Sequence, residues 1–143
     1  MKTRRWRDGG CLRYALLLSL VTGTANAACP PTKADGTVIG KDGLLLAYQP
    51  LGKTGRIPMA KHFALDVQLC DKSGISAAHL HKADATMPEH RHGMNYRPVI
   101  TPLGNGRFRV EGMLFHMAGR WELAFEVQAG NETTRLIHGV QIE

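Results

Sequence analysis

The sequence predicts an all-β domain, a small antiparallel sandwich. Apolar and polar side chains alternate along several short segments, the period of a half-buried strand. Glycine-rich turns separate these segments at intervals of about 10 to 15 residues, the spacing of a small sandwich or barrel. No stretch of useful length carries the 3.6-residue period of an amphipathic helix.

The elements follow in order. "LLLAYQ" (44–49) is an apolar, strand-compatible run between a glycine and a proline. "HFALDVQLC" (62–70) places Phe63, Leu65, Val67 and Leu69 on one side, with Asp66 and Gln68 opposite. Residues 71–86 form a polar segment rich in alanine and histidine. "RPVITPLGNGRFRVEG" reads as strand, turn, strand, because Asn105 and Gly106 tolerate the positive φ of a tight hairpin. Phe108 and Val110 then face inward, and Arg107, Arg109 and Glu111 outward. "RWELAFEV" (120–127) turns Trp121, Leu123, Phe125 and Val127 inward, and "TTRLIHGVQI" (133–142) follows after the turn "AGNE". The expected architecture is a single immunoglobulin-like antiparallel β-sandwich over residues 28–143, with a closed barrel as the alternative.

Residues 1–27 have the form of a secretory leader. Lys2, Arg4, Arg5, Arg7 and Arg13 make a basic region, "YALLLSLV" an apolar one, and Ala25-Asn26-Ala27 a cleavage signal. The apolar run is shorter than the roughly 20 residues that span a bilayer. Arg4-Arg5 raises twin-arginine export, and Asn26 fits poorly with lipidation at Cys29. A periplasmic or secreted protein is expected. The leader holds five of the 18 basic residues and one of the 12 acidic ones, which leaves 13 against 11 and a net charge of +2. No basic patch with interleaved aromatics remains, so no nucleic-acid partner is expected. The processed chain keeps Cys29 and Cys70, and an even pair in an exported protein reads as a disulfide. No cysteine spacing suits haem attachment, thioredoxin chemistry or a thiolate zinc site.

The chemistry concentrates in "MPEHRHGM", residues 87–94. In an extended segment His90, His92 and Met94 would point to one side, and Met87 could fold back over them from beyond Pro88. Imidazole suits copper, zinc and nickel, whereas thioether selects copper, above all Cu(I). His116 and Met117 stand at the end of "EGMLFHM" and could complete a site if the chain turns there, since neighbours on a strand face opposite ways. The candidate metal ligands are therefore Met87, His90, His92, Met94, His116 and Met117. The bland alternatives are solvated histidines on a loop and core-filling Met113 and Met117. His79 and His81 read as surface, His62 and His138 as structural strand residues, and Glu89 and Arg91 as a solvated face.

"DATMPEHRHGMNYRP" followed by "GRFRVEGMLFHMAGRWELAFEV" resembles the YtkA-like domain family, including its FixH-like members, over roughly residues 60–143. The resemblance implies an exported or membrane-tethered immunoglobulin-like sandwich, associated with copper handling or with accessory roles around respiratory oxidases and efflux systems. It implies site roles for Met87, His90, His92, Met94 and Met117, with His116 less uniform. Unlike FixH proper, the chain is expected to keep no membrane-spanning helix, which points away from a direct part in oxidase assembly.

An enzyme is not expected: no serine or cysteine nucleophile stands in a recognisable motif. A blue-copper carrier would need a cysteine ligand, and both cysteines are better used as a disulfide. Two functions remain. One is an exported copper carrier or scavenger; the other is a non-metal accessory domain that docks a membrane or periplasmic partner.

Overall fold

The computed structural model describes Cys29 and residues 36–143; the leader and its cleavage signal lie outside the described residues. Among the described residues, ten strands form two sheets. In chain order they are β1 (Thr37–Lys41), β2 (Leu44–Pro50), β3 (Phe63–Asp71), β4 (Gly74–Ile75), β5 (His79–Met87), β6 (His92–Gly93), β7 (Val99–Gly104), β8 (Arg107–Met113), β9 (Gly119–Ala129) and β10 (Glu132–Ile142). One sheet runs β1-β2-β3-β8-β7 with β4 added to β3, and the other runs β10-β9-β5-β6. Every strand pairing is antiparallel. The chain crosses between sheets at β4–β5, β6–β7 and β8–β9, which makes the expected sandwich.

The alternation read from the sequence sets the core. Phe63, Leu65, Val67 and Leu69 of β3 meet Trp121, Leu123, Phe125 and Val127 of β9 in one buried cluster. Phe108 and Val110 of β8 join them, while Arg109 of β8 binds Asp66 of β3 on the outer face, Nε to Oδ1, at 2.6 Å. Asn105 and Gly106, at φ 53° and 69°, make the β7–β8 turn that needs two positive φ values.

Two features go beyond the sequence reading. Residues 71–86, a polar segment in the sequence, hold β4 and all but the last residue of β5, a strand at the middle of its sheet. Its inward side chains are Leu80, Ala83, Ala85 and Met87, and a bulge between Leu80 and Lys82 resets the alternation. Alanine is too weakly apolar, and the bulge too disruptive, for the pattern to show. Gln68, opposite the apolar face of β3, is the second. It is buried, and its amide donates to the carbonyls of Leu69 at 3.0 Å and Asn105 at 3.1 Å. Cys29 and Cys70 form the expected disulfide, with Cα atoms 5.7 Å apart.

Candidate metal site

The "MPEHRHGM" segment sits at one end of the sandwich, where β5 turns back as β6. Met87 closes β5 and is only 1% exposed. Pro88 has no N–H to continue a ladder, so the chain leaves the sheet in a 3-10 turn over Pro88–His90. Arg91 is left-handed, φ 56°, and its N–H donates to the Pro88 carbonyl at 3.2 Å. The segment is therefore not extended throughout, and period-two alternation does not relate His90 to His92. It does relate His92 to Met94. His92 pairs with Met87 across the ladder, and the Met94 N–H donates to the Ala85 carbonyl at 3.0 Å. Opposed residues of an antiparallel pair share a face, so His92 and Met94 lie on the inward face with Met87 and Ala85.

The second half of the site comes from the link between β8 and β9. Beyond Met113 the backbone is held by a parallel bridge from Met59 to Phe115, and the Ala60 N–H donates to the Phe115 carbonyl at 2.7 Å. The chain then turns through residues 116–118 before β9 begins. That turn removes the difficulty of two neighbouring ligands on one strand. His116 is exposed and Met117 is half-buried against the core. Gly119 has φ +126°, and a Cβ there would collide with the Met87 terminal methyl.

Three imidazoles come together. The ring of His92 lies 5.8 Å from that of His90 and 5.0 Å from that of His116, centre to centre. Both His92 and His116 stand edge-on to the Trp121 indole, at 5.7 and 5.3 Å. Trp121 is fully buried, stacks on Phe115 at 4.7 Å, and donates its indole N–H to the Met117 carbonyl at 3.1 Å. His92 is half-buried, and its Nδ1 is shielded from solvent with no hydrogen-bond partner. Among the described residues, no group of three or more His, Cys, Asp or Glu side chains is arranged to hold a metal ion.

All six expected ligands thus belong to the two segments that meet at this end, but not equally. Met94 lines a groove of about 480 Å³ with His81, Asp84, Tyr96 and Arg97. His79 and His81 are exposed, as expected. His62 precedes β3 rather than belonging to it; it is exposed and stands edge-on to Tyr96 at 5.2 Å. His138 is structural, 2.6 Å from the Tyr48 hydroxyl through Nδ1. A larger groove of about 560 Å³ runs beside that pair, past Thr37, Arg56 and Glu143. It holds no thioether and lies apart from the imidazole cluster. The sequence marked Trp121 as an inward core residue within a Met-x-Gly-x-Trp element and Gly119 as a residue that makes a turn plausible; Met59 carried no local signal for the site.

No protein-family model matches the chain, and no curated protein matches it. Among solved structures it is similar to a DUF4426 family protein from Pseudomonas aeruginosa PAO1. The TM-score is 0.54, over 74% of this chain and 96% of that one, at 10% identity. A likeness at that identity concerns the fold alone, a β-sandwich domain, and not the YtkA-like family.

Proposed function

We propose that this is an exported copper-binding protein, a carrier or scavenger of the YtkA-like, FixH-like kind. It would take copper at the end of the sandwich through Met87, His90, His92, Met94, His116 and Met117. The observation that carries the proposal is the shielded, unpartnered Nδ1 of His92 inside a cluster of three imidazoles. A buried nitrogen left without a partner costs about 1–3 kcal/mol, and a bond to a metal would remove that cost. Thioethers in the same packed end favour a soft ion over zinc or calcium. The action is ligand exchange: imidazole and thioether capture copper and release it to a competing ligand, with no redox step required of the protein.

Competition titration of the processed protein tests this. Copper should bind more tightly than zinc, and replacing His90 and His92 together by alanine should abolish binding. Replacing His79 and His81 by alanine should leave it unchanged. Equal or tighter zinc binding would sink the copper assignment. A second reading, a non-metal docking domain, is favoured by large side chains exposed on the segments that flank the site, Met59 at 43% and Tyr96 at 50%. Absence of metal binding in the same titration would favour it.

A further inference from the structure

Resting on the copper-binding role, we propose that Trp121 is the positioning residue of the site, setting Met117 and two imidazoles in one arrangement through a single side chain. Three contacts meet on it. The rings of His92 and His116 stand against the indole at 5.7 and 5.3 Å. The indole N–H fixes the Met117 carbonyl at 3.1 Å, and with it the backbone from which the Met117 thioether projects. Without that bond the 116–118 turn would be anchored only from its Phe115 and Gly119 flanks, through Met59 with Ala60 and through β10.

Trp121 is itself held more firmly than the three imidazoles and Met117. It is fully buried on β9, a strand paired along its length with β10, and stacks on Phe115, which in turn meets Phe63 at 5.3 Å. Those four ligands, by contrast, sit at the sandwich end: His90 and His116 are exposed, and His92 and Met117 are half-buried. A residue fixed in the sheet therefore carries the registration of ligands that are less buried than itself. Groups that orient metal ligands without touching the metal commonly matter about 10–100-fold in affinity. Trp121 needs no bond to copper to have such an effect.

The test is a double-mutant cycle between Trp121→Phe and Met117→Ala, read as Cu(I) affinity against a chromogenic Cu(I) chelator. Phenylalanine keeps the aromatic stack and removes the N–H. Trp121→Phe should weaken Cu(I) binding about tenfold or more, and Met117→Ala should weaken it in the native background but barely in the Trp121→Phe background. A residue that merely fills the core would give additive losses, and additive losses would overturn the inference while leaving the copper function standing. Failure of the native protein to bind copper would overturn both. If Trp121→Phe does not fold, the native protein still decides the matter. The sequence has two tryptophans, Trp6 and Trp121, and only Trp121 survives removal of the leader. Its emission should change stoichiometrically as Cu(I) is added, and unchanged emission at saturation would overturn the proposal.

Discussion

At the scale of single residues, the site sets function against stability. His92 keeps a shielded ring nitrogen without a partner. Replacing it with leucine removes that unpaired group along with the ring contacts to His116 and Trp121, and the two effects oppose each other. His92→Leu should leave the metal-free protein within about 1 kcal/mol of native stability while copper affinity collapses. Urea unfolding beside a copper titration checks both, and a large loss of metal-free stability would make His92 a structural residue. Gly119 shows the reverse dependence. Its φ of +126° is a region that side chains rarely enter, and a Cβ would displace the Met87 methyl. Gly119→Ala should cost about 1–3 kcal/mol and weaken Cu(I) binding by moving Met87. Unchanged melting and unchanged affinity would show that Met87 and Gly119 do not constrain one another.

At the scale of elements, the two sheets are tied across their open side by β2 and β10. Tyr48 of β2 is buried against Phe125, and its hydroxyl meets His138 of β10. Burial raises the phenol to about 12 from its ordinary 10, opposed by a hydrogen bond from Thr37. The unfolded phenol therefore loses its proton between about pH 10 and 12, while the folded one keeps it. The folded state binds more protons in that window, so its stability falls as pH rises, by up to about 1.4 kcal/mol per pH unit. Below pH 10 the phenol is neutral in both states and the stability from this group is pH-independent. Urea midpoints should drop between pH 10 and 11 in the native protein and drop less steeply in Tyr48→Phe. Parallel slopes in the two proteins would contradict this assignment. Strand identity itself came through clearly wherever large apolar residues alternate, as in β3, β8 and β9. It failed in β5, where alanines and a bulge hide the inward face.

At the scale of the whole molecule, the cross-link and the candidate site occupy opposite ends of β3. Phe63 reaches the site through Phe115 and Trp121, and Cys70 lies seven residues further on, about 23 Å along an extended strand. The Cys29–Cys70 bond closes a loop of 41 residues and should contribute about 4 kcal/mol in the chain-entropy picture. Reduction should therefore lower the unfolding midpoint while leaving copper affinity within about twofold, since sites this far apart rarely couple. A parallel loss of affinity would show that the N-terminal tether shapes the site. By itself the sequence determined the antiparallel strands, because alternation depends only on which side chains avoid water, and it indicated the cysteine pair once Cys11 was assigned to the leader. It also located the histidines and methionines, since donor chemistry is local. Only the tertiary structure decided how they meet. Met87 is buried because β5 is central, His90 leaves the face of His92 because Pro88 starts a turn, and His116 comes beside His92 because β9 pairs with β5. Those are contacts between residues far apart in the chain, and no local pattern encodes them.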